Sequence, residues 1–226
     1  MTGVTELLVL LIWGTAVGLD LVTGPQIMIA RPLVAGTVAG WLLGDAATGL
    51  LIGVLFELFQ YDVLPVGASR YPEYGPATVA AVAAAHGVGG PAAVALGALV
   101  GLATAVVGGA SLGALRRLNT AALRAAAPRL ESGDPRVLAG LHAAGVGRDA
   151  ARAAAVTGLG LGLAWFARAT LGDLTAGPAM PLAAAAAGGI ALAAAVSGTL
   201  RLVGRGGDVR WLAGGVVAGT LLVWFR

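Results

Sequence analysis

The stretch from Gln26 to Gly75 constrains the chain more than any other part of it. It reads QIMIARPLVAGTVAGWLLGDAATGLLIGVLFELFQYDVLPVGASRYPEYG, a strongly apolar run interrupted by Arg31, Asp45, Glu57, Asp62, Arg70 and Glu73. The rest of the sequence does not supply the polar surface that would let a soluble fold bury such a run. Of 226 residues, 58% are hydrophobic and 11% charged, against roughly 25% charged in soluble domains, and the mean hydropathy is +0.89. An integral membrane protein follows, with length for one domain of several spans at about 20 residues each. One charge near a bilayer centre costs about 2.5–3.5 kcal/mol, so ionisable groups inside lipid normally face a partner or a wet cavity. Glycines at 36, 40, 44, 49, 53 and 67 permit close helix packing, or chain breaks at membrane depth where backbone atoms face a bound molecule. The stretch reads as a solute-binding region.

Taken in order, Val4 to Val22 is the first hydrophobic segment, and Thr23-Gly24-Pro25 is a turn signal. Glu6 and the lack of a basic leader argue against a cleaved signal peptide. Ile27 to Leu43 and Thr48 to Leu64 are short segments joined at Gly44-Asp45, a pattern that fits a re-entrant hairpin or discontinuous helices. Pro65 to Pro76 is a loop. Ala77 to Ala114 is broken by Gly87-Val88-Gly89-Gly90-Pro91 into a short arm and a full helix, with His86 on the arm. That histidine is either a proton carrier or, more commonly, a hydrogen-bonded core residue. From Leu115 to Arg152 there are arginines at 116, 117, 124, 129, 136, 148 and 152, against Glu131, Asp134 and Asp149, with breaks expected at Pro128 and Gly133-Asp134-Pro135. The positive-inside rule makes this a cytoplasmic linker, with amphipathic helices on the membrane face. It is a solvated connection or a docking surface for a cytosolic partner. Val156 to Leu171, Ala179 to Leu200 and Trp211 to Phe225 are three more hydrophobic segments. The expected class is an all-α membrane protein, a polytopic helical bundle with re-entrant or broken helices in its N-terminal half. Its parts are a membrane core over residues 1–114, the arginine-rich linker 115–152, and C-terminal transmembrane helices over 153–226.

There is no cysteine, which excludes disulfides, thiolate metal sites and cysteine nucleophiles. No phosphate-binding loop, dinucleotide fingerprint or zinc-protease motif is present, so neither a catalytic group, a cofactor nor a metal is expected. All fourteen basic residues are arginine, and the gathering of seven of them in one loop argues for topology rather than nucleic acid. What remains is hydroxyl-recognising chemistry: carboxylates, amides, an arginine and tyrosines in an apolar setting. Sugar hydroxyls donate and accept hydrogen bonds, and a buried polar group left unpaired penalises the wrong ligand.

Arg31-Pro32-Leu33-Val34, Leu43-Gly44-Asp45, Thr48-Gly49 with Ile52-Gly53, Glu57, Pro65-Val66-Gly67-Ala68 and Pro72-Glu73 occur in a fixed order. This set resembles the IIC permease subunit of the mannose/fructose/sorbose branch of the bacterial sugar phosphotransferase system, over about residues 20 to 85. The resemblance implies a multi-pass subunit of the bacterial inner membrane that moves a hexose-type sugar. It implies pairing with a IID-type membrane subunit in a hetero- or homo-oligomer, and phosphoryl supply by soluble IIA and IIB proteins, so the chain itself is not an enzyme. Tyr61-Asp62 and Arg70-Tyr71 depart from the residues usual in that family.

The expected sugar-binding residues are Glu57, Asp45 and Arg31 at the centre, with Thr48, Gln60 and Glu73 around them. Each has a plainer reading. Asp45 suits a helix N-cap and Thr48 a helix start, Arg31 can neutralise Glu57 or Asp45, and Gln60 and Glu73 fit a loop-edge network. Glu57, between Phe56 and Leu58, has no local reason to be charged. The competing functions are an ion-coupled transporter using Glu57 and Asp45 as carriers, and a non-transporting membrane subunit of a related regulatory complex.

Overall fold

The computed structural model describes residues 3–63 and 70–203. The Pro65-Val66-Gly67-Ala68 motif, the Trp211 to Phe225 segment and the arginines at 205 and 210 lie outside the described residues. All regular structure among the described residues is helical: α1 (Val4–Asp20), α2 (Pro32–Leu42), α3 (Ala46–Gln60), α4 (Tyr74–Ala85), α5 (Gly90–Glu131), α6 (Pro135–Leu171) and α7 (Ala179–Val203), with a 3-10 turn at Gly172–Ala176 between the last two.

The α2–α3 hairpin is built on backbone contact. α2 has 11 residues and α3 has 15, so at 1.5 Å rise they are about 17 and 23 Å long, short of a hydrocarbon core of about 30 Å. They pack as a pair instead. A Cβ placed on Gly40 would stand 2.6 Å from the Gly49 Cα, and one on Gly36 would stand 2.9 Å from the Gly53 Cα. On Gly53 it would meet the Pro32 carbonyl at 3.0 Å. These obstacles are main chain, so only glycine allows the two helices to lie this close. Gly44, at φ +73, makes the turn. Asp45 then caps α3, its carboxylate accepting the Thr48 N–H at 3.1 Å. The expected short paired segments are therefore present, shifted by a few residues.

α4 sits at the centre. Its twelve residues, YGPATVAAVAAA, are all buried, and α1, α2, α3, α5 and α6 all pack against it. Alanine is the reason it can hold so many neighbours, since a small side chain keeps each approaching helix near. The break after His86 occurs where the glycines predict it, with Gly87 and Gly89 at positive φ.

Among the described residues, three helical stretches are long and apolar enough to cross a membrane: Gly90–Glu131, Pro135–Ala176 and Ala179–Ser197. α5 has 42 residues, about 63 Å or twice the hydrocarbon thickness. Its second half and the first half of α6 form an arginine-rich antiparallel pair joined at Ser132-Gly133-Asp134. This corrects two expectations. Pro128 does not end a helix: α5 runs through it to Glu131, because it lies in the exposed last turn, where the carbonyl freed by the missing N–H can be met by water. The arginine-rich residues also do not form separate surface helices, since they continue the apolar halves of α5 and α6 in line. The break at Gly133-Asp134-Pro135 holds, with Gly133 at φ +77, Asp134 accepting the Arg136 N–H at 2.9 Å and Pro135 in the first turn.

Gly49→Val should force α2 off α3, since its Cβ would meet main chain of Gly40 and Gly36. The expected outcome is a loss of well over 2 kcal/mol, read as a collapsed thermal transition of the purified protein, whereas Gly44→Asn at the positive-φ turn should be tolerated.

Candidate functional site

The hairpin brings Arg31 and Glu57 together. Arg31 is the N-cap of α2: its carbonyl accepts the Val34 and Ala35 N–H groups at 2.9 and 2.8 Å, and Pro32 occupies the first turn. Glu57 lies one turn beyond Gly53 on the facing helix, so the close backbone approach aims it at the start of α2. The Arg31 Nη2 donates to Glu57 Oε1, and the Leu33 backbone N–H donates to Glu57 Oε2 at 3.1 Å. A carboxylate at a helix N-terminus is satisfied by free N–H groups and by the helix dipole. This is the local reason for Glu57 that its sequence neighbours do not reveal.

The pair is half open. The Glu57 side chain is 12% exposed and that of Arg31 is 43%. The guanidinium carbon lies 5.8 Å from the centroid of the Tyr61 ring, and Tyr61 is itself exposed. An arginine has five N–H donors, and among the described residues one is engaged. The remaining donors, the Glu57 carboxylate and the aromatic face form a small set suited to a polyhydroxyl ligand. Gln60 lies in the same last turn of α3.

Asp45 and Thr48 are not part of this cluster. Twelve residues of α3 separate Asp45 from Glu57, about 18 Å along the axis. The expectation of a common centre for Arg31, Asp45 and Glu57 is thus corrected: Asp45 is the α3 cap. The His86 Nδ1 lies 3.9 Å from Asp45 Oδ2 and has no hydrogen-bond partner among the described residues.

Glu73 belongs to a third group. It is fully buried and is gripped by Arg152, whose Nη1 and Nη2 donate to its two oxygens at 2.6 and 3.0 Å. Arg152 Nε also donates to Asp149 Oδ1 at 2.8 Å, and Asp149 Oδ2 accepts from the Thr23 hydroxyl at 2.8 Å. A further bond runs from Arg152 Nη1 to the Ser111 hydroxyl at 3.2 Å. The Glu73 backbone N–H donates to the Ala105 carbonyl at 2.9 Å. Four parts of the chain meet in this network: the α1–α2 loop, the segment before α4, α5 and α6. Sequence reasoning placed Arg152 in a solvated linker. The spacing of Asp149 and Arg152 at i and i+3 among alanines was the available signal. Its partner, 79 positions away, was not legible.

Among the described residues there is no cluster of histidine, aspartate and glutamate able to hold a metal. The family model for the sorbose-specific IIC component of the phosphotransferase system matches residues 4–159. The chain belongs to that family. Over 124 residues this IIC-family chain is 30% identical to the sorbose-specific IIC component of Klebsiella pneumoniae, covering 55% of the chain and 46% of that protein. It is 31% identical over 68 residues to the one from Lacticaseibacillus casei, 30% of the chain and 24% of that protein. It is 36% identical over 89 residues to a putative N-acetylgalactosamine permease IIC component 2 of Escherichia coli (strain K12), 39% of the chain and 66% of that protein. The chain thus spans between a quarter and two thirds of the length of these curated relatives. In fold it is similar to a solved membrane protein at TM-score 0.71 and 19% identity, covering 100% of this chain and 96% of that one. It is also similar to a chain of the mannose transporter ManYZ complex with microcin E492 at TM-score 0.58 and 21% identity, covering 96% and 87%.

Breaking one partner of a buried ion pair costs about 3–5 kcal/mol because the other charge is left uncompensated. Arg152→Met, which strands the buried carboxylates of both Glu73 and Asp149, should lower folded yield and melting temperature sharply, while the triple variant Glu73→Gln/Asp149→Asn/Arg152→Met should recover a large part of the loss in the same thermal assay.

Proposed function

We propose that this chain is the permease subunit of a sugar phosphotransferase system in the bacterial inner membrane. It holds a hexose-type sugar at the Arg31–Glu57 pair, while soluble IIA and IIB partners supply the phosphoryl group and a IID-type membrane subunit completes the assembly. The observation that carries this reading is the pair itself. In an apolar, family-typical hairpin, a carboxylate and a guanidinium meet where two half-length helices touch, with donors that no described residue engages and an aromatic face open beside them. Sugar hydroxyls donate to Glu57 Oε1 and Oε2 and accept from Arg31, and Tyr61 offers its ring to the apolar face of the pyranose. Gln60 stands at the rim. Asp45 and Thr48 serve the α2–α3 turn, and Glu73 serves the network with Arg152. No residue of the chain has to be phosphorylated in this scheme, and the exposed arginines of the α5–α6 pair offer acidic soluble partners a surface.

The relatives' names divide between sorbose and N-acetylgalactosamine, so the informative panel is sorbose, mannose, fructose and N-acetylgalactosamine. The second reading, ion-coupled uptake, is favoured by one observation, the proximity of His86 to Asp45. It predicts uptake that uncouplers abolish, whereas the phosphotransferase reading predicts uptake that needs phosphoenolpyruvate and resists them.

Glu57→Gln removes the charge that orients Arg31 and one acceptor. Sugar binding by the assembled complex should fall by about a hundredfold or more, with melting temperature and subunit assembly little changed. Binding at the level of the unsubstituted protein in a calorimetric titration would reject the assigned site.

A further inference from the structure

Arg31 reaches Glu57 from the end of a loop whose course is unusual. Between α1 and α2 the chain turns at Gly24, where a Cβ would meet the Asp20 Cα at 2.9 Å, and folds back over the end of α1. Gln26 and Met28 then adopt left-handed backbone at φ 54 and φ 70. For residues other than glycine this conformation costs of order 1–3 kcal/mol each and persists only where the surroundings impose it. The side chain bonded to this stretch of backbone is Asp20. Its carboxylate is 3% exposed and has no cationic partner among the described residues. It accepts instead the Ile27 N–H on Oδ1 at 2.8 Å and the Ala30 N–H on Oδ2 at 3.2 Å. A buried charge is costly unless it is hydrogen-bonded, so this one binds the loop firmly. The Ala30 carbonyl approaches α4 closely, 3.0 Å from where a Cβ on Gly75 would stand. The Arg31 N–H then donates to the Met28 carbonyl at 3.2 Å.

We propose that Asp20 is a positioning residue for the sugar site: its buried carboxylate holds the Gln26–Ala30 arch in left-handed form and thereby sets Arg31 against Glu57. The inference rests on the permease reading for its ligand, and on geometry alone for its mechanical part. Asp20 never touches the sugar. Asn at this position replaces one acceptor oxygen by an NH2 that faces a backbone N–H, so donor opposes donor and one of the two tethers is lost.

The chain has no cysteine, so Met28→Cys, at a position 71% exposed, takes a single spin label on the arch. In the complex bearing this label, Asp20→Asn should mobilise the label and weaken binding of the hexose the unsubstituted complex takes by about tenfold or more. In the unsubstituted chain, hydrogen exchange at the Ile27 and Ala30 amides should be slow, although the Ile27 side chain is 65% exposed. A mobile label with unchanged affinity would overturn the proposal, because the tether would then be merely structural. Weakened binding with an immobile label would also overturn it, as would fast exchange at those amides in the unsubstituted chain. If Asp20→Asn does not fold, the amide exchange decides alone. Absence of binding to any sugar by the unsubstituted complex refutes the permease reading, and the label and exchange measurements still judge whether Asp20 fixes Arg31.

Discussion

The main chains of α2 and α3 touch, and the rest of the site depends on that contact. Lipid offers little hydrophobic reward for bringing helices together, so association rests on packing and polar contacts. Glycine on both helices gives each a bare strip of backbone, and the two strips meet from Gly36 to Gly53. With the helices at this separation, the first residue before α2 and the charged residue in the last turns of α3 come within hydrogen-bond reach. A single larger side chain in the seam would separate them. The carboxylate in the α3 sequence and the arginine 26 positions earlier are thus one device, and glycine is its fulcrum.

Around the hairpin, buried hydroxyls and buried charges play different parts. Thr78 and Thr104 satisfy their hydroxyls within their own helices, donating to the Tyr74 and Val100 carbonyls at 2.7 and 2.8 Å, as threonine does in apolar helices. The charged exceptions all cross between elements. Arg168 donates to the Ala83 and His86 carbonyls at the end of α4, where a cation complements the helix dipole. Asp20 holds the arch, and Arg152 joins α6 to the segment before α4. The α4 core, being alanine, supplies proximity without direction. Direction comes from these few bridges.

The class of the molecule and the broken, short character of its N-terminal helices were legible from residues alone, because hydropathy, glycine spacing and turn signals act locally. The turn at Gly44-Asp45, the break after His86 and the stop at Gly133-Asp134-Pro135 all follow from positive φ, caps and proline. The pairing of Arg31 with Glu57 was one of two options, with Asp45 as the rival. Choosing between them required the direction of the hairpin, which places Asp45 at the turn and Glu57 at the open end. Arg152 was misplaced because it closes a basic segment and its partner is distant. Charge pattern reports which side of a membrane a loop occupies, but not which member of a basic cluster turns inward. Asp20 marked only the end of a segment, because its ligands are backbone groups and backbone groups leave no trace in composition.

The bridge between Glu73 and Arg152 also has a consequence for inheritance. Arg152 cannot be lost without stranding the buried carboxylates of both Glu73 and Asp149, so the three residues form one heritable unit spread over distant codons. A lineage leaves this arrangement by losing Glu73 first, while Asp149, which already accepts from Arg152 Nε at 2.8 Å, keeps the guanidinium paired. Among cousins of this chain, a glutamate without its arginine would mark a differently assembled interior.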